Sequence, residues 1–412
     1  MPPSGSRNRI IGLVAQNEND ALAVVSGSIG HLLSTAGYVW QIINLLAPEG
    51  LQELSAALGK DDIAFAFGFA GVGSQLSKDG ANLWTALQVP FVAFWYDHPA
   101  HNYRQHMVPS PYILNCYHVR DHYEARLKYL PLNNAAILLP PVGGLNPFAR
   151  SSPWVQRERT FLFVKTACEP ELISRKWQTC SPLLRHVLET LAEQALRNGD
   201  LDLADAAAVA FAEAGHPISD FDNFFGVIQE IDNYVRAWRS DRLARALLSY
   251  PSRIVGRGWD YLAQQPGHAE FIPPFPAHEL IWRFVNQRLI ANSSPLWRDG
   301  IHERVVHGIA AGAVTLTDRT EKADRIFGDL PNYIAFDWNS GLHEAIALAW
   351  ERAGLDKADY LAAGEQRIRE HLVYDRRNFI EPLETAIGAM LDRAAALPEE
   401  LAVPELAKAV SK

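Results

Sequence analysis

Asp299, Glu303 and His307 recur at four-residue intervals in the stretch Leu289 to Arg319, LIANSSPLWRDGIHERVVHGIAAGAVTLTDR. That spacing predicts three polar side chains in a row on one face of a helix that begins near Ile301. Asp299-Gly300 puts a carboxylate and a flexible residue just before the helix N-terminus. Free N–H groups there can hold an anion such as a diphosphate. His302, Glu303 and Arg304 crowd the first turn with charge. A strand ending at Asn292 feeds the loop, and Ala310-Ala311-Gly312 lets the helix end pack closely on the next strand. A plain amphipathic helix between two strands reads the same way, so the pattern alone does not separate chemistry from packing.

Other polar positions sit at strand ends. Trp95-Tyr96-Asp97-His98 closes an apolar run, and Asp97 and His98 are the residues best suited to take a proton, since a histidine titrates near neutrality. The bland alternative is that Asp97 caps the loop and His98 is structural. Lys165 ends another apolar run and can neutralise a phosphate or simply face solvent. In Val255-Gly256-Arg257-Gly258-Trp259 the glycines permit close backbone approach and Arg257 can pair with a diphosphate. Trp259 suits a nucleobase neighbour and a core position equally. His118 and His122 have metal-ligand spacing but no third partner. Gly68, Gly71 and Gly73 do not fit the GxGxxG dinucleotide fingerprint, which counts against a redox enzyme.

Elements that could position these residues follow from the apolar pattern. Up to residue 147, short apolar runs alternate with helical stretches, and a second such series starts at Thr160. This predicts two parallel sheets covered on both faces, each with its ligand crevice at the carboxyl ends of its strands. Domains are expected over 1–147 and 148–356, with Pro140 to Pro147 as the linker, a helical insertion over about 170–250, and helices over 357–412 returning toward the first domain. The chain has 412 residues, enough for two domains. Its formal net charge of −9 argues against nucleic acid as the main partner. Three cysteines without paired spacing fit a reduced, cytoplasmic protein. No apolar run is long enough for a membrane helix, which leaves peripheral membrane contact and self-association open.

The segment Arg304-Val305-Val306-His307-Gly308-Ile309-Ala310-Ala311-Gly312-Ala313, followed by Leu316-Thr317-Asp318-Arg319, resembles the donor-binding helix and strand of GT-B glycosyltransferases. It is most similar to the spore-maturation-protein-like group of glycosyl transferases group 1, whose helix reads like RVFEAMACGA before a strand ending in TD. The resemblance covers residues 253–340 best. It implies a GT-B fold and transfer of a sugar from a nucleotide-sugar donor, a UDP-sugar by expectation. The implied acceptor is a glycan, a lipid-linked molecule or a protein, and neither cofactor nor metal is implied. It assigns Lys165, Arg257, Trp259, Asn292, Asp299, Gly300, His302, Glu303, Arg304 and His307 to the donor side, and Asp97 and His98 to the chemistry. In the broader retaining families, two acids eight positions apart contact the sugar and the ribose. Those positions here are Asp299 and His307, so the second acid is absent and Glu303, one turn away, is its substitute. A non-catalytic sugar-nucleotide or glycan-binding protein and a GT-B-fold epimerase are alternatives of the same resemblance.

Overall fold

The computed structural model describes residues 7–15, 21–131, 134–139, 152–355, 360–372 and 376–397. The expected linker, Pro140 to Pro147, lies outside them. The chain divides into two compact units, Met1–Gly144 with Val373–Lys412, and Leu145–Leu372. Among the described residues no helix is long and apolar enough to cross a membrane. All three cysteines are unpaired.

The first unit carries β1 (Arg9–Val14), β2 (Val39–Asn44), β3 (Ile63–Phe69), β4 (Phe91–Trp95), β5 (Ile113–Tyr117) and β6 (Ala135–Leu138). They pair in parallel in the order β2-β1-β3-β4-β5-β6. Helices α1 (Ala21–Ser34), α2 (Gly50–Leu58) and α3 (Arg120–Tyr129) connect them. Strand alternation sends Phe65, Phe67 and Phe69 into one core and Ala66 into the other, with Ile11, Leu13 and Trp84. Both faces are buried, as a parallel sheet requires.

The second unit repeats the plan. Strands β7 (Glu158–Val164), β8 (Ser252–Val255), β9 (Ala269–Ile272), β10 (Gln287–Ala291), β11 (Val314–Asp318) and β12 (Tyr333–Phe336) form a parallel sheet ordered β9-β8-β7-β10-β11-β12. The order runs outward from β7 in both directions. The crossovers therefore leave the sheet on opposite faces on either side of β7 and β10, which opens a crevice at their carboxyl ends. Phe161 and Phe163 face one core with Leu243, Leu247 and Ile346, while Leu162 faces the other with Phe284, Ile290 and Ala311.

Between β7 and β8 come four helices, α4 (Pro170–Trp177), α5 (Pro182–Arg197), α6 (Leu203–Glu213) and α7 (Phe221–Leu247). Their starts are encoded locally. Ser181, Asp202 and Asp220 each accept a backbone N–H three residues on, and prolines open α4 and α5. The long α7 packs on the other three. Further along lie α8 (Glu303–Ala310), α9 (Glu321–Phe327), α10 (Leu342–Ala353) and α11 (Leu361–His371). Helix α11 packs on α8 and α9 and stays with the second unit. Only after it does the chain rejoin the first unit. There α12 (Glu381–Ala395) buries Leu383, Ile387 and Met390 against the phenylalanines of β3.

Candidate active site

The crevice between β7 and β10 collects charge. Lys165 follows β7, and its ammonium donates to the Ser293 carbonyl in the loop after β10 at 3.4 Å. Burial, and then the nearby Arg304 and Arg236 charges, lower its pKa to about 7, against the pull of Glu303 and Asp318. Arg304, in the first turn of α8, donates to Asn292 Oδ1 at 3.3 Å. Glu303 lies beside it, with 3.7 Å between Arg304 Nε and Glu303 Oε1. Burial works against the Glu303 charge, but His302 and Arg304 outweigh it and hold the carboxyl well below the usual range.

His302 is the N-cap of α8 and is buried. Burial and the Arg304 charge lower its pKa to about 4, so the ring is neutral. Its Nδ1 lies 2.6 Å from Glu303 Oε2 and 3.3 Å from the Arg304 backbone N–H. One nitrogen cannot donate to the first and accept from the second. The shorter contact places the proton on Nδ1, where it donates to the carboxylate. The indole of Trp297 stacks on the ring, with centroids 5.8 Å apart. His302 therefore orients Glu303.

Several expected site residues take other places. The helix starts at Glu303, so Asp299 is not on its face; it lies in the preceding turn and pairs with Arg325 of α9 at 3.3 Å. The expected row of three thus breaks, because the Ser293–Gly300 loop needs its own turn before the helix can begin. Gly300 supplies close packing instead of flexibility, since a Cβ there would meet the Trp297 ring at 2.7 Å. His307 is on α8 but fully buried, with neither ring nitrogen hydrogen-bonded. Burial lowers its pKa to about 4, and it presents no surface to a ribose in this form. Asn292 is equally sealed and works as a bracket, donating to Ser294 Oγ at 3.2 Å and Thr317 Oγ1 at 3.1 Å.

Trp259 is a core residue. It packs near Phe163 and Phe271, and its indole N–H donates to the Lys165 carbonyl at 2.8 Å. The turn before it supports the same carbonyl. Gly256 has φ 144°, and a Cβ on it would sit 2.2 Å from Lys165 O. Gly256→Ala is therefore expected to destabilise the second unit by about 1–3 kcal/mol, read as a lower urea midpoint. Arg257 is exposed on that turn.

Sequence reading overlooked the contribution of the inserted helices. Arg239 of α7 is buried and forms an ion pair with Asp318, at the end of β11, at 3.2 Å. Its Nη1 also donates to the carbonyls of Ser294 and Pro295, at 3.2 and 2.8 Å. Asp318 completes the clamp by accepting the Ser294 N–H at 2.8 Å and the Trp338 indole N–H at 3.2 Å. Ser240 Oγ is 3.2 Å from Ser293 Oγ. One turn back, Arg236 donates to Asp232 at 2.7 Å. The signal for these residues was present: Asp232 and Arg239 interrupt the apolar stripe Ile228, Ile231, Val235, Leu243 of α7, and a charge on a buried face needs a partner.

In the first unit, His98 caps the short turn Pro99–Asn102, and its Nδ1 accepts from the Ala100 N–H at 3.1 Å. The neutral ring then carries its proton on Nε2, which donates and does not accept, so this geometry argues against His98 as a base. Asp97 is half-buried beyond the end of β4. His122 meets the His98 ring edge-on at 5.2 Å. Among the described residues no three or more His, Cys, Asp or Glu side chains gather as a metal site.

Two doubly wound parallel units, the second with a cationic crevice at its switch point, define the GT-B type of fold. The chain is similar to an α-glucosyltransferase solved in complex with UDP-glucose and DNA containing an abasic site. That likeness has a TM-score of 0.54 at 11% identity, over 93% of this chain and 99% of that one. An α-glucosyltransferase with UDP and a 13-mer DNA containing an HMU base matches at TM-score 0.52 and 11% identity, over 93% and 99%. Residues 236–383 match the family described as glycosyl transferase-like. No curated protein gives a significant sequence match.

Proposed function

We propose that the second unit binds a nucleotide-sugar donor, a UDP-sugar, and that the sugar is transferred without a metal ion to a glycan, lipid-linked or protein acceptor. The observation that carries this is the convergence at the switch point of Lys165, held to the Ser293 carbonyl, and Arg304, held to Asn292; burial first and the Arg304 charge second depress the lysine pKa. A diphosphate supplies opposite charge to both cations. The same two cations stabilise the charge that builds on the departing diphosphate, which is the work a divalent ion otherwise does. Glu303, oriented by His302, is the carboxylate available to sugar or ribose hydroxyls. Arg257 is a further diphosphate partner from the adjacent turn. In the first unit Asp97 is the candidate base. The DNA bound to the fold neighbours is not carried over, since a net charge of −9 lacks the basic surface such a ligand needs.

A melting-temperature screen against UDP-, GDP-, TDP-, ADP- and CMP-sugars tests the donor. UDP or a UDP-sugar at about 100 times its Kd is expected to stabilise the protein by about 2.7 kcal/mol. No shift with any of the five would sink the donor reading.

A further inference from the structure

A second cavity, of about 110 Å³, opens at the same end of the second sheet. Arg319 follows β11 and Asp337 follows β12; Asp200, after α5, and Asn339 add to the polar lining. Trp238 of α7 and Trp338 form an apolar wall, their rings 5.8 Å apart at 66°. Arg239 reaches this cavity as well as the Ser294 loop of the donor crevice.

The lining is selective in three respects. Its cations are already neutralised: Arg239 pairs with Asp318, and Arg319 pairs with Asp324 and lies 3.6 Å from Asp337. The lining's two arginines are matched by two exposed carboxylates, Asp200 and Asp337, so it carries no net charge to draw an ionic ligand. Asn339 commits one of its two amide N–H groups to the Arg197 carbonyl at 2.7 Å, which leaves its Oδ1 as an acceptor and its second N–H as a donor. The rim therefore offers acceptors, in its carboxylates and Asn339 Oδ1, alongside the second Asn339 N–H as a donor. A purely apolar ligand would strip water from those acceptors with no return. A ring that sets C–H groups against the indoles and directs hydroxyls at the carboxylates satisfies both.

We propose that this cavity is a saccharide subsite that takes a neutral sugar unit of a glycan, separate from the donor-phosphate crevice and joined to it through Arg239. As an acceptor subsite it rests on the transferase reading above; as a saccharide pocket it does not. The full-length protein would be titrated with maltose, cellobiose and N,N′-diacetylchitobiose, with glucosamine and glucose 6-phosphate as the cationic and anionic comparisons. Tryptophan fluorescence and calorimetry report binding, and the UDP melting shift is measured in parallel. At least one neutral disaccharide is expected to bind saturably and to shift the tryptophan emission. Trp238→Ala and Asn339→Ala should each weaken it about tenfold and leave the UDP shift intact. Asn339 is exposed, so that variant keeps the test open if Trp238→Ala does not fold. The proposal is overturned if no neutral disaccharide binds, if both variants bind as the native protein does, or if the charged sugars bind better. Saccharide binding without a UDP shift would count against the donor reading alone.

Discussion

Replacing Lys165 with methionine is expected to lower kcat/KM for sugar transfer on the order of 100-fold or more while the fold persists. The ammonium contributes little to folding, because its burial is offset only in part by one long contact to Ser293 O and by the pull of Glu303 and Asp318. In the proposed reaction it acts when negative charge accumulates on the leaving diphosphate. The pH dependence provides a sharper test. The free protein holds this lysine at about 7, below its ordinary value of 10.5. A bound diphosphate favours the charged form, so binding takes up a proton as pH rises above 7. UDP affinity should then fall with pH above 7, by up to about tenfold per unit, until the bound lysine itself titrates. Calorimetry in buffers of different ionisation enthalpy would detect that proton. Lys165→Met should bind weakly and lose the pH slope; a slope that survives the substitution would show that another group is responsible. The same displacement has a stability consequence with a definite sign. Between about 7 and 10.5 only the unfolded chain holds the proton, so the ligand-free fold gains stability as pH rises through that window.

Arg239→Ala is expected to be the most damaging substitution to the fold of the second unit. It leaves Asp318 buried without its cation and removes two donors from the Ser294–Pro295 loop. Breaking one side of such a pair costs about 3–5 kcal/mol. The melting temperature should fall on the order of 10 °C. Asp318→Asn keeps one acceptor oxygen, enough for Ser294 N–H or Trp338 Nε1 but not both, and leaves Arg239 without its anion, so it too should lower the melting temperature. Because the clamp also fixes the loop that Lys165 touches, nucleotide affinity should drop in both variants. A variant that melts early yet binds UDP normally would separate the clamp from the donor crevice.

Much of the architecture can be read from the chain alone. Apolar runs alternating with helical stretches are a local signal, and they mark the strands of both sheets and the helical block near 170–250. Glu303 and Arg304 are legible for the same reason, since they stand in the first turn of a helix that directly follows a strand and loop. What local periodicity does not carry is which distant strand ends meet. Strand order brings Lys165 to Ser293, 128 positions away, and α7 to both. Only that order turns Arg239 from a helix residue into a clamp on the Ser294–Pro295 loop. Burial is likewise a tertiary outcome: it seals His307 and Asn292, makes Trp259 core and draws Asp299 to Arg325. The segment from Asp299 to Arg319 thus has its charged pair, Glu303 and Arg304, written in the sequence. Its supporting cations, Lys165 from β7 and Arg236 and Arg239 from the inserted α7, come to it only through long-range packing, because charges far apart in the chain interact only once the sheet has placed them side by side.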